Sequence, residues 1–410
     1  MAPPFPPAPA PESLLFRHRQ LAPTANVRVS PICLGAMNFG DADKARLGEC
    51  NKETSFEILD TFKGLGGNFI DTADGYQAGQ SETWLGEWMK SRDCRDEMVL
   101  ATKYSSPYQK HHPGKIQSNF GGNGTKSLRH SVETSLKRLQ TEYIDLLYVH
   151  WWDYATTIPE LMTSLNDLVS SGKVNYLGVS DTPAWVVAKA NQYARDHGLR
   201  QFVVYQGLWN AAKRDFERDI VPMCKDEGMG LIPWGTLAQG RFQTEATFKE
   251  REKNNPGRQG KPSVLEKRMS KVLESIAASK NTNITSIAMI YIMQKAPYVF
   301  PLVGGRKIDH IKGNVEALKL VLTDEDMAKI DRASRFDPGF PHTFLSGSQF
   351  GEDQDTERDI PDGAKDVWLT QVLGKFDWVE SSKPITPSEQ RWTYYFLLSC
   401  NISILSVNGI

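Results

Sequence analysis

Nothing in the 410 residues has the look of a disulfide framework or a zinc site. The five cysteines, Cys33, Cys50, Cys94, Cys224 and Cys400, are scattered without a C-x-x-C pair or a dense cluster, and they read as reduced thiols of a cytoplasmic protein. Neither sign of charge dominates. With 48 Lys plus Arg against 49 Asp plus Glu, no broad basic surface is left for a nucleic-acid backbone. No apolar run reaches the roughly 18 residues of an ordinary membrane span. The closest approach, WTYYFLLSCNISILSV near the C-terminus, is broken by Ser, Cys and Asn. The N-terminal MAPPFPPAPAPES lacks the basic and apolar regions of a secretory signal, and its prolines mark residues 1–13 as a disordered leader.

What the chain does have is 40% apolar and 24% charged residues, enough to exclude wholesale disorder. From residue 31, eight short apolar runs alternate with longer stretches of helical periodicity: PICLG, NFIDT, MVLATK, DLLYVH, VNYLGVS, FVVYQ, GLIPW and YVFPLVG. They do not alternate strictly, as parallel strands buried on both faces should not. Helices are expected over 52–65, 81–91, 125–139, 158–170, 183–196 and 215–227, then over 263–280, 284–295, 308–318 and 324–332. No G-x-G-x-x-G follows the first run, which argues against a doubly wound dinucleotide fold. Eight βα units in series predict an α/β chain folded as a (β/α)8 TIM barrel with extra C-terminal helices and long substrate loops. Residues 14–380 form that barrel. The charged loop EREKNNPGRQGKP would overhang its mouth, and the Gly, Asp, Phe and Pro-rich stretch up to about 365 is a lid or disorder.

Active sites of such barrels sit where the C-terminal strand ends converge. Those ends carry Asp71 and, five residues on, Tyr76; then Lys103 and His150; then Ser180 and Asp181, Gln206, Trp234, and finally Gly304 and Gly305. A buried Asp or Lys is rare unless paired, so Asp71 and Lys103 on adjacent strands predict an ion pair. Tyrosine is a poor acid near neutrality, and the Lys103 ammonium is expected to stabilise its phenolate. His150 would orient a carbonyl oxygen while Tyr76 protonates it. None of these groups carries hydride, so a carbonyl reduction here needs a nicotinamide cofactor. Trp234 offers that ring a stacking face.

The strings FIDTADGYQAGQSE, LATK, LLYVHWWD, YLGVS, VVYQ and PLVGGRKIDHIKGN resemble the aldo-keto reductases, over residues 15–380. HWWD, SDTPAW and PLVGGRKI most resemble the fungal aryl-alcohol dehydrogenase branch, with its norsolorinic acid reductase-like enzymes. The resemblance implies a catalytic tetrad of Asp71, Tyr76, Lys103 and His150. It implies nicotinamide contacts from Ser180, Gln206 and Trp234, with Leu237 and Gly304 also in the cofactor groove. Arg306, Lys307 and Asn314 fall in the segment that holds the adenosine 2′-phosphate and adenine, which favours NADP(H). Asp181 stands where much of the family has Asn. The implied activity interconverts aromatic aldehydes or ketones and alcohols, within fungal polyketide or other secondary metabolism. The alternative is an NADPH-binding regulatory subunit like the potassium-channel β-subunits. Residues 381–410 continue past the family's usual end and read as an atypical extension, disordered or left by an unspliced intron.

Single residues have duller explanations, but four matches at the ends of three consecutive strands do not share one. Trp151 and Trp152 follow His150, one of them expected in an aromatic substrate pocket and the other packed on the barrel. Specificity is expected from the loops after strands one, four and seven and from the tail. His111, His112 and His130 have no carboxylate or cysteine at ligand spacing, so a solvated turn is expected there and no metal site. KEREKNN reads as a solvated face or loop.

Overall fold

The computed structural model describes residues 8–112, 114–254, 261–350 and 360–387. Most of the expected leader is therefore outside the described residues, as are the centre of the overhanging loop, part of the expected lid, Cys400 and residues 388–410. After a single 3-10 turn at Leu14–Phe16 comes a hairpin, β1 (Arg19–Ala22) and β2 (Ala25–Val29), which the sequence reading did not anticipate. Next comes the first barrel strand β3 (Cys33–Gly35), then helices α1 (Lys44–Leu47) and α2 (Lys52–Gly64). The series continues as β4 (Phe69–Asp71), α3 (Gln80–Arg92), β5 (Val99–Tyr104), α4 (Thr125–Leu139), β6 (Ile144–Val149), α5 (Ile158–Ser170) and β7 (Val174–Ser180). It proceeds through α6 (Ala184–Asp196), β8 (Phe202–Leu208), α7 (Phe216–Asp226), β9 (Gly230–Trp234), α8 (Glu245–Asn254), α9 (Val264–Ser279), α10 (Ile284–Lys295) and β10 (Leu302–Val303). Helices α11 (Ile308–Ala317), α12 (Asp324–Ala333), α13 (His342–Leu345) and α14 (Trp368–Leu373) follow.

Strands β3 to β9 pair in parallel in chain order, and β10 pairs with β3. The backbone just before β10 closes the ring. Leu231 in β9 donates its N–H to the Tyr298 carbonyl at 2.9 Å and accepts from the Phe300 N–H at 2.9 Å. The result is the (β/α)8 barrel that eight apolar runs demanded, with every residue of β5 buried. The charged stretch after β9 is in part helical, as α8, which corrects the expectation of a plain loop.

Two apolar layers hold the barrel. A smaller one fills its interior and joins Phe69, Val99, Leu146, Val204, Ile232 and Phe300 to Leu21, Ala22, Ala25 and Val29 of the hairpin. The hairpin thus plugs the N-terminal end, fastened by the Thr24 hydroxyl, which donates to the Gly228 carbonyl at 2.7 Å. The larger layer lies between strands and helices and contains α10 almost whole, Ile287, Ala288, Met289, Tyr291 and Ile292 included. Cys33, Cys50, Cys94 and Cys224 are free and buried. Arg214 binds the backbone of the segment after α12 through the Ser334 carbonyl and pairs with Glu217 and Asp331, while Arg218 donates to the Pro338 carbonyl. These contacts strap the C-terminal segment to α7.

Candidate active site

Asp71 ends β4, Lys103 lies one residue from the end of β5, and His150 directly follows β6, so strand pairing alone brings the three together. Lys103 is completely buried and its ammonium finds an acceptor for each proton. It is in contact with Asp71 Oδ1, donates to the Thr72 carbonyl at 2.8 Å and reaches the Tyr76 hydroxyl at 3.4 Å. The other Asp71 oxygen accepts from Gln206 Nε2 at 2.9 Å. The expected ion pair is there, and Gln206 braces it from four strands away.

Tyr76 is carried in by a tight turn after β4 in which Gln77 and Ala78 take left-handed φ angles of 52° and 55°. The turn is locked by the buried Gln77 side chain, whose Oε1 accepts from the Asp43 N–H at 2.7 Å. Gly40 leaves room for it, since a Cβ there would stand 2.4 Å from Gln77 Cβ. Beneath the turn, Arg138 donates to the Asp74 carbonyl at 2.8 Å and to Glu82 at 3.1 Å. The Tyr76 and His150 rings meet edge to face with centroids 5.9 Å apart.

Burial disfavours the Lys103 ammonium, yet the Asp71 carboxylate and the Tyr76 oxygen outweigh it and hold its pKa above the ordinary lysine value. For Tyr76, burial is the largest influence and raises the phenol's pKa; Lys103 pulls it down, and Asp71 and Asp181 push it up. The expected phenolate stabilisation is therefore present but does not prevail in this environment. Tyr76 is a protonated donor at neutral pH. Burial, helped by Lys103, drives the His150 imidazole down to about 3, so it is neutral. Ser106 Oγ lies 3.2 Å from its Nδ1, and the tautomer in which this hydroxyl donates is the one that carries the proton on Nε2. It follows that turnover shows no histidine-dependent acid limb between about pH 5 and 8, the range an unperturbed imidazole would occupy. A kcat profile measured over that range checks this, and a limb that disappears in His150→Phe would contradict it.

On the opposite side of the mouth, Asp181 has a left-handed φ of 44° and gathers the strand ends. Its carboxylate accepts from Ser180 Oγ at 2.9 Å and from Trp234 Nε1 at 3.2 Å. Burial raises its pKa against those two hydrogen bonds. Trp234 is half-buried, which leaves part of its indole available to a ligand, and Leu237 is half-buried just beyond. Gly304 is exposed after β10, and Arg306 and Lys307 lead into α11, whose N-terminus has no side-chain cap. An uncapped helix start flanked by two cations suits a phosphate. Arg306 lies against the loop after β3, filling the place a Gly48 side chain would need. Asn314 differs from its neighbours in the sequence expectation: it is buried and lines a narrow apolar crevice with Ile32, Phe62 and Val303.

Tyr76 and His150 form the floor of a cavity of about 300 Å³. Met37, Asp43, Arg46 and Leu47 from the loop after β3 make one wall, and Ser106, Pro107, Tyr108, Lys110 and His111 from the loop after β5 make the other. The first loop was expected. The second was missed; His111 is exposed on a turn, as expected, and also borders this wall. Neither Trp151 nor Trp152 lines the cavity. Asp153 caps its own turn through the Ala155 and Thr156 N–H groups, and Asn123 donates to the Trp151 carbonyl at 3.0 Å, which fixes the backbone that follows His150. Trp152 packs on the outer apolar layer. Among the described residues, no group of three His, Cys, Asp or Glu side chains could hold a metal, and no helix is long and apolar enough to cross a membrane.

A model of the aldo/keto reductase family matches residues 31–335. The chain belongs to that family. It is 65% identical over 376 residues to norsolorinic acid reductase B of Dothistroma septosporum, covering 92% of this chain and 95% of the other. Its identity to norsolorinic acid reductase B of Aspergillus parasiticus is 62% over 377 residues, 91% and 98% of the two chains. An aryl-alcohol dehydrogenase of Pestalotiopsis microspora is 52% identical over 393 residues, 95% and 98%. These relatives make the chain an oxidoreductase of a family that uses nicotinamide dinucleotides on small molecules, and they do not favour a regulatory subunit.

Proposed function

We propose that this chain is an NADP(H)-dependent reductase that interconverts an aromatic aldehyde or ketone with its alcohol, in the cytoplasm and in fungal secondary metabolism. The observation that carries the reading is a neutral Tyr76 phenol and a neutral His150 imidazole at the floor of one cavity, with the Lys103 ammonium 3.4 Å behind the phenol oxygen. The names of the relatives, a norsolorinic acid reductase and an aryl-alcohol dehydrogenase, support the substrate class.

When bound, the cofactor supplies the hydride that reaches the carbonyl carbon. The chain's own residues do the rest. His150 Nε2–H holds the carbonyl oxygen, and Tyr76 gives that oxygen its proton as negative charge develops there. Lys103 then faces the phenolate left behind, and Asp71 keeps Lys103 charged and in place. The Trp234 indole gives the nicotinamide a stacking surface. Ser180, Asp181 and the Oε1 of Gln206 are the polar groups that would hydrogen-bond its carboxamide. Leu237 and Gly304 border the groove, and Arg306 and Lys307 hold the 2′-phosphate at the start of α11. Residues 14–380 work as one barrel unit.

The test is loss of reduced-nicotinamide absorbance with aromatic aldehydes, NADPH and NADH run in parallel. Aromatic substrates and NADPH are expected to be preferred; consumption with neither cofactor would count against the reading. A phosphate contact by a guanidinium is a charge-assisted hydrogen bond, so Arg306→Ala should weaken NADPH binding by about ten-fold or more and leave NADH binding nearly unchanged. Fluorescence titration reads this, and an equal loss for both cofactors would remove Arg306 from the phosphate site.

A further inference from the structure

The cavity above Tyr76 and His150 has a lopsided charge. Its lining includes the cations Arg46 and Lys110 but a single carboxylate, Asp43, which already pairs with Arg46 at 3.0 Å and so leaves Lys110 as the unbalanced charge. Lys110 is exposed, and among the described residues no carboxylate lies within ion-pair distance of its ammonium. The local field is positive enough to register on a neighbour: partial burial, then His112, Arg138, Lys110 and Lys115, hold the His111 imidazole below its ordinary range. The remaining walls are apolar or aromatic, with Met37, Leu47, Pro107 and the buried ring of Tyr108. A flat apolar body with one acidic edge would match that lining, placing its ring between the two loops and its charge at the rim.

We propose that the cavity takes an aromatic carbonyl compound bearing an ionised phenolate or carboxylate on the edge remote from the carbonyl, and that Lys110, assisted by Arg46, is the specificity-determining contact for that charge. This rests on the reductase reading of the cavity floor and adds to it the substrate's charge. Lys110 acts as a mobile point charge at a partly solvated rim, so the contact is expected to weaken as salt is added. Lys110 stands in a loop where the alternation of strands and helices carries no information, and only the folded cavity brings it above Tyr76.

The probes are para-formylbenzoate and its neutral methyl ester, titrated calorimetrically into the full chain saturated with NADP⁺, so that cofactor phosphates already occupy their own site. Wild type is expected to favour the acid, and Lys110→Met to lower the acid-to-ester ratio of affinities by about ten-fold, the scale of one charge-assisted contact. Lys110→Arg keeps the ratio and Lys110→Glu inverts it. Equal binding of the two probes by wild type, or a ratio that Lys110→Met leaves intact, overturns the proposal. Turnover on the same samples separates the two readings. An acid preference lost in Lys110→Met without any NADPH oxidation sustains the anion contact and removes the reductase. NADPH oxidation with one KM for both probes does the reverse.

Discussion

Replacing Tyr76 by Phe is expected to lower kcat for carbonyl reduction by about 10² to 10⁴-fold, the range assigned to a positioned general acid. The ring stays in place because its turn is fixed from Gln77 and Arg138 and not from the hydroxyl. The dissociation constant for NADPH should therefore change little, since the cofactor-side groups lie across the mouth around Asp181 and Trp234. Steady-state kinetics with fluorescence titration checks both halves. Undiminished kcat would take the proton-donor role away from Tyr76, and a parallel loss of NADPH binding would mean the variant is disturbed more widely.

The second large effect is on stability. Lys103→Met leaves Asp71 buried with only Gln206 as a donor, and removing one partner of a buried ion pair costs about 3–5 kcal/mol. The sign with pH can be worked out. Without Lys103, the folded-state pKa of Asp71, already raised by burial, rises further, so the folded variant binds a proton that the unfolded chain releases above about pH 4. The deficit should therefore shrink as pH falls toward that value and be larger at neutral pH. Denaturant unfolding of Lys103→Met at two pH values measures it, and Lys103→Met with Asp71→Asn should recover part of the loss. A single variant as stable as wild type would show that the pair contributes nothing to the fold.

The barrel and the four residues at its mouth were legible because both depend on strand ends. A parallel strand buried on both faces leaves an uninterrupted apolar run, and the polar residue that stops the run marks the mouth. Asp71, Lys103 and His150 are such stops, and the structure brings them together as read. The hairpin Arg19–Val29 escaped notice because its strands are only four and five residues long and neither is an uninterrupted apolar run. The cavity walls escaped for another reason. Where Tyr108 and Lys110 stand depends on how the loop after β5 is pinned, by Asn123 to Trp151 and by the Gly122 N–H to the Ser105 carbonyl at 2.8 Å, ties between residues whose pairing no local pattern announces. Of the two tryptophans after His150, Trp152 packs on the outer layer, as one of the pair was expected to, and neither lines this cavity. The pKa of Tyr76 was misjudged in balance, not in kind. Lys103 does favour the phenolate, but the extent of burial, which decides the sum, becomes visible only in the fold.

Whether the cavity floor carries out carbonyl reduction is tested most directly by following the hydride. The chain is incubated with NADPH deuterated on the transferring face of the nicotinamide and an aromatic aldehyde, and the alcohol formed is analysed by mass spectrometry. One deuterium on the carbinol carbon for each NADPH oxidised is the result expected from Tyr76 and His150 acting on a bound carbonyl. NADPH bound tightly but never oxidised, with no labelled alcohol, would contradict it.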